Sequence, residues 1–352
     1  FVADENGYAH IVWQDARSGT ADIYAQTVGY TGFLNYAANG VVICNATGMQ
    51  LEPHIAWAKG NRYYVSWSDI RGGDIDVYAA CFYPFSVSPL WAANGIVVCN
   101  ATGAQYVTET LVDAAGNLVL LWGDQRRGGG TTDLYAQKLD QTGAAQWGFN
   151  GLAIRVANGS AGLPHAAPDG QGGLLVVWQD SRTDVSDVYA QRISSFGGTL
   201  WAANGTVVGS GPSSQANAWL VPTSEGGAYV AWDDYYNGPW GCRLQKLDEW
   251  DTHGIDPHPL ALDATHLLVS RRNPNPAPVS ALDHGTDLVV VDLAAGAVTQ
   301  AIDLSFFETD VGTDHVFARP DQLARAGDAL VVGLDRLSRD YSVAGPGAVA
   351  IV

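Results

Sequence analysis

Four of the five copies of one short motif repeat an aspartate, an arginine and a second aspartate at near-constant spacing. These are the residues whose types and recurrence could do chemistry. The copies read VWQDARSGTADIYAQ, SWSDIRGGDIDVYAA, LWGDQRRGGGTTDLYAQ, VWQDSRTDVSDVYAQ and AWDDYYNGPWGCRLQ. The intact sets are Asp15, Arg17 and Asp22; Asp69, Arg71 and Asp76; Asp124, Arg126 and Asp133; Asp180, Arg182 and Asp187. Asp-rich turns supply hard oxygen ligands, so calcium is the one cofactor the pattern suggests, with Asp74 and Asp76 the best local pair. The structural alternative has the first aspartate accepting backbone N–H bonds in the turn. The arginine then pairs across the hairpin with the second aspartate. An arginine inside each loop disfavours a cation there, and the fifth copy, with Tyr236 in the arginine place, loses both partners together.

The remaining candidates are weaker. The motif tryptophans Trp13, Trp67, Trp122 and Trp178 lie in apolar runs and read as core. Trp91, Trp147, Trp201, Trp240 and Trp250 lie in connections, and Trp240 and Trp250 are the candidates for stacking on a ligand such as a sugar. His54 and His165 share a repeat position and read as framework. His253, His258 and His266 fit no standard zinc spacing. Glu308 and Asp310 are an isolated carboxylate pair of the kind glycoside hydrolysis uses. No GxSxG, HExxH or phosphate-binding loop occurs, and the Asn-x-Ser/Thr sites at Asn45, Asn100, Asn158 and Asn204 recur as turn residues. Cys44, Cys81, Cys99 and Cys242 form no CxxC. They read as buried thiols, with Cys81 and Cys99 the one plausible pair.

The elements that must carry these residues follow from the spacing. Trp13, Trp67, Trp122, Trp178 and Trp232 are separated by 54, 55, 56 and 54 residues. In the second copy the first strand is expected over His54–Ala58 and the second over Tyr63–Asp69. The third is expected over Ile75–Phe82 and the fourth over Ile96–Asn100, with Gly, Asn and Pro where the apolar runs break. The second strand is apolar on both faces, as in LVLLW and LLVVW, which is the pattern of a strand covered on both sides. Stacked blades give that environment. The sequence therefore predicts an all-β protein, a β-propeller of four-stranded blades of ~54 residues. Residues 1–250 hold five tandem repeats, and 251–352 hold divergent repeats expected to form two further blades. Seven blades result; the alternative is five blades with a separate all-β tail.

Composition agrees. Of 352 residues 41 are Gly and 12 Trp, and only 15% are charged. The net charge of −18 excludes nucleic acid and anionic membrane surfaces, which need basic patches. No apolar run approaches the ~18 residues of a membrane span. The chain opens inside a repeat, as a processed product or a piece of a longer protein would.

The motif W-x-D-x-R-x-G-x-x-D-I-Y-A-Q, as in Trp13–Gln26, resembles the propeller repeats of TolB-like bacterial periplasmic and secreted proteins. The likeness covers residues 1 to about 247. The tail segment DLVVVDLAAGAVTQAIDL resembles the YVTN-type propeller repeat. These resemblances imply a bacterial propeller in the periplasm, outside the cell or on its surface, with a protein or glycan partner. Because repeat architecture explains nearly every distinctive residue, the expected function is that of a non-catalytic interaction or structural module. The alternatives are a carbohydrate-binding propeller and a lactonase- or hydrolase-like enzyme with a site in the central funnel.

Overall fold

A computed structural model describes residues 1–234 apart from 59, 87 and 224–227, and beyond residue 234 the backbone of the strands. The strands form seven antiparallel sheets of four. The first sheet holds β1 (Val2–Ala3), β2 (Ala9–Asp15), β3 (Asp22–Val28) and β4 (Val41–Cys44). The second holds β5 (Gln50–Ala58), β6 (Arg62–Asp69), β7 (Asp76–Phe82) and β8 (Ile96–Cys99). The third holds β9 (Gln105–Val112), β10 (Leu118–Asp124), β11 (Asp133–Leu139) and β12 (Leu152–Arg155), and the fourth β13 (Ala161–Pro168), β14 (Leu174–Asp180), β15 (Asp187–Ile193) and β16 (Thr206–Gly209). The fifth begins with β17 (Gln215–Pro222) and β18 (Ala228–Asp234). In the sixth and seventh, β21 (Ile255–Ala261) and β26 (Asp314–Ala326) matter below. No helix occurs among the described residues, and none is long and apolar enough to cross a membrane.

The first strands touch one another in succession, from β1 to β5, β9, β13, β17 and β21. Strand β26 lies against both β21 and β1. The ring therefore closes, with the first strands of the first six sheets and β26 of the seventh innermost, as in a seven-bladed propeller. Burial follows from this stacking. Every residue of β10 is buried, because both of its faces meet a neighbouring sheet. Trp67, Trp122 and Trp178 are fully buried between blades, whereas Trp13 of the first blade is partly exposed. Among the described residues each interface from the first to the fifth blade is one apolar cluster, such as Ala58, Tyr64, Val77 and Cys81 against Leu118, Leu120 and Trp122.

Four successive inner strands, β5, β9, β13 and β17, also carry a β-bulge. Pairing shifts between Leu51 and His54 in β5, opposite Leu121 and Trp122 in β9, between Gly162 and His165 in β13, and between Ala216 and Trp219 in β17. Glu52, Leu163 and Asn217 within three of these bulges take positive φ of 51°, 44° and 50°. A bulge re-aims the side chains that follow it. The residues re-aimed here are those nearest the axis.

Candidate functional site

The repeated motif is a structural clamp. Its wiring differs from the expected cross-hairpin pair. In each of the four intact copies the tryptophan Nε1 donates to the aspartate two residues on: Trp13 to Asp15 at 3.1 Å, Trp67 to Asp69 at 2.7 Å, and Trp122 to Asp124 and Trp178 to Asp180 at 2.8 Å. The arginine bonds that same first aspartate, not the second. Arg71–Asp69 and Arg126–Asp124 measure 2.6 Å, Arg182–Asp180 2.5 Å, and Arg17–Asp15 is equivalent. The guanidinium lies 3.9–4.2 Å over the ring of Tyr24, Tyr78, Tyr135 or Tyr189. It also donates to a carbonyl of the loop before the fourth strand, that of Asn39, Asn94, Asn150 or Asn204. A turn of two residues brings arginine and first aspartate together more closely than the hairpin brings it to the second.

The second aspartates diverge. Asp22 accepts from Ser18 and Asp187 from Thr183, while Asp133 is held by Arg127 and Arg155. Asp76 has its pKa raised by burial and then by the neighbouring Asp74 and Asp69. Asp74 accepts a long bond from the Gly103 amide. No group of three or more His, Cys, Asp or Glu that could hold a metal forms among the described residues, so no third side chain of those types joins Asp74 and Asp76.

Of the other candidates, two loop tryptophans are framework. Trp91 donates to Gln141 O at 3.1 Å and Trp147 to Ser195 O at 3.2 Å, each bridging to the next blade. Trp201 is 41% exposed beside an apolar cleft with Val207, Leu220 and Val230, whose described lining holds no titratable group. Trp240 lies outside the described residues, as do the side chains of Trp250, His253, His258, His266, Glu308 and Asp310. Cys44, Cys81 and Cys99 are free and buried, so the Cys81–Cys99 pair does not form. Burial raises the thiols to about 11, 12 and 11.

The arrangement with chemical capacity is one that the motif does not contain. His54, Glu109, His165 and Trp219 each stand 13 residues before a motif tryptophan. Each pairs with the residue preceding that tryptophan: Ser66, Leu121, Val177 and Ala231. They therefore occupy one structural position, just past the bulge on the innermost strand, in four successive blades. They also reach one another. Glu109 Oε2 lies 3.1 Å from His165 Nδ1, and the His165 ring stacks on Trp219 with centroids 3.5 Å apart and planes 24° off parallel. His165 and Glu109 keep 23% and 25% side-chain exposure, enough for a ligand to touch them. His54 adjoins the row. Burial lowers its pKa, against the opposing pull of Glu109 and then Glu52. Asn217, two residues before Trp219, donates to Asp233 at 2.9 Å and fixes that end.

A hydrogen-bonded carboxylate–imidazole pair, a second imidazole and an indole face thus stand at one level of four adjacent inner strands. Such convergent polar groups beside an aromatic wall characterise small-molecule and sugar sites. Sequence reading placed His54 and His165 in the framework and passed over Glu109 and Trp219. The available signal was the shared offset of 13 residues from the motif tryptophan.

No protein-family model and no curated protein sequence matches the chain. Among solved structures it is similar to the polysaccharide lyase Uly1, at 10% identity and a TM-score of 0.57, over 99% of this chain and 88% of that one. It is also similar to the α-L-arabinofuranosidase Arb93A of Fusarium graminearum, at 11% identity and a TM-score of 0.45, over 83% and 92%. A third is the α-L-arabinanase of Penicillium chrysogenum, at 13% identity and 0.41, over 82% and 91%. At these identities the likeness is one of fold. It corrects the expectation of a non-catalytic interaction or structural module, and of a chain that is not an enzyme. The scaffold matched over nearly its whole length is that of an enzyme acting on polysaccharide.

Proposed function

We propose that this protein is a carbohydrate-active propeller that takes a glycan at the axial channel, over His54, Glu109, His165 and Trp219. The observation that carries the reading is the hydrogen-bonded Glu109–His165 pair stacked on Trp219. Sugars present alternating apolar C–H faces and hydroxyl edges. An indole wall serves the first and an imidazole–carboxylate pair the second. An imidazole hydrogen-bonded to a carboxylate is also the kind of pair that serves general acid–base chemistry at a glycosidic oxygen. The near-full-length likeness to a polysaccharide lyase supports the substrate class. Polysaccharides do not cross membranes, so the reading carries with it a periplasmic, extracellular or cell-surface location.

The test is a panel of soluble neutral and uronate-containing polysaccharides. Reducing ends are measured for cleavage, ultraviolet absorbance for the unsaturated ends that elimination leaves, and calorimetry for binding. The reading predicts saturable binding and release of chain ends with at least one glycan, both lost in His165→Ala. No binding to any of the panel, or activity indifferent to His165, would contradict it.

A further inference from the structure

The contact between Glu109 and His165 specifies where the imidazole proton sits. A carboxylate only accepts hydrogen bonds. With Glu109 Oε2 at 3.1 Å from Nδ1, the Nδ1 atom must donate, and in the neutral ring Nε2 is then the lone-pair nitrogen. A free imidazole favours the opposite tautomer, so a local partner has to reverse it. The ring cannot easily turn to exchange its nitrogens, because Trp219 lies flat against it at 3.5 Å. The bulges that set Glu109 and His165 at matching positions of adjacent inner strands keep the two in register.

We infer that Glu109 is a positioning residue which locks His165 as the Nδ1–H tautomer, so that Nε2 is a hydrogen-bond acceptor facing the ligand. The group it recognises is a hydroxyl of the glycan. This deepens the reading of the axial channel as a sugar site and rests on it. The inference separates the roles within the row: Trp219 holds the ring plane, Glu109 holds the proton, and His165 meets the sugar.

Imidazole 15N chemical shifts of histidine-labelled protein, recorded above the range in which histidine protonates, report the tautomer directly and require no glycan. The expected wild-type result is protonated Nδ1 and bare Nε2 at His165. Glu109→Gln, which can still accept through its amide oxygen, should keep that state. Glu109→Leu should move it toward Nε2–H. A wild-type Nε2–H tautomer, or a Glu109→Leu spectrum unchanged from wild type, would overturn the inference even if glycan binding were found. His165→Phe keeps a ring against Trp219 but has no acceptor, and should weaken binding of the best glycan from the panel about tenfold, the value of one hydrogen bond. Unchanged affinity in that variant would also overturn it. Absence of any glycan binding with the tautomer as expected would instead count against the carbohydrate reading.

Discussion

The tryptophan clamp makes a strong prediction about one glycine. Gly95 closes the WAANG loop at φ +81°, and a Cβ built on it would stand 2.5 Å from Trp67 Cη2, 2.8 Å from Cζ2 and 2.9 Å from the Ala79 carbonyl. Gly40, Gly151 and Gly205 meet Trp13, Trp122 and Trp178 in the same way. The ring cannot retreat, because Asp69 holds its Nε1 at 2.7 Å and Tyr78 stacks on it. Gly73 provides the control. It sits in the same blade at φ +102°, with nothing within 4 Å of its Cβ direction. A left-handed alanine costs about 1–2 kcal/mol, and forcing a methyl into a packed site about 1–3 kcal/mol more. Gly73→Ala should therefore destabilise by about 1–2 kcal/mol and Gly95→Ala by about 2–5 kcal/mol. Urea unfolding followed by tryptophan fluorescence measures both. Trp67→Phe removes the two offending ring atoms and should partly relieve Gly95→Ala, with a coupling of about 0.5–3 kcal/mol. Equal losses in the two glycine variants, or no coupling with Trp67→Phe, would refute the clamp.

Three further outcomes follow from the geometry. Arg155 is fully buried, paired with Asp180 at 3.0 Å and Asp133 at 3.2 Å and donating to the carbonyls of Asn158 and Gly159, so Arg155→Ala should cost about 1–3 kcal/mol by leaving those carbonyls without their donor. Arg155→Cys should cost less, because cysteine holds that place in the first two blades (Cys44, Cys99) while Asp180 keeps Arg182 and Asp133 keeps Arg127; equal losses in chemical denaturation would count against this. Trp178→Ala should cost about 3–5 kcal/mol through the cavity it leaves between blades, and a loss under 1 kcal/mol would contradict its place in the core. His10, buried between Trp57 and Tyr63, and His54 both have pKa values lowered from 6.5, chiefly by burial. The unfolded chain then binds more protons, so stability should be full above pH ~6.5 and fall as pH drops below it, by up to about 1.4 kcal/mol per pH unit for each group. Melting temperature against pH from 7.5 to 5 checks this, and His10→Gln should flatten the slope.

The blades were legible because the repeat writes them four times nearly intact. The tryptophan period gave the unit length, and the two-faced apolar runs gave the stacking. The wiring of the motif was less legible. Asp69 and Asp76 both flank Arg71, and only the turn geometry and the Tyr78 ring decide that Arg71 takes the first. The axial row was hidden for the opposite reason. Position 13 before each motif tryptophan holds His, Glu, His and Trp in turn, so it shows no recurring letter, although it is one place in the fold. A position that varies from blade to blade leaves no recurring letter, while sequence reading is drawn to the letters that recur. The loop tryptophans Trp91 and Trp147 illustrate this, being spent on bridges to the next blade.

The central claim is that the axial row, and not the outer surface, receives the glycan. Calorimetric titration of the best glycan from the panel into wild type, Trp219→Ala and Trp201→Ala tests it directly. Loss of a central aromatic anchor costs ~2 kcal/mol or more, so Trp219→Ala should weaken binding about 30-fold or more. Trp201→Ala, at the exposed apolar cleft, should leave affinity unchanged. Loss of binding in Trp201→Ala with Trp219→Ala unaffected would contradict the account.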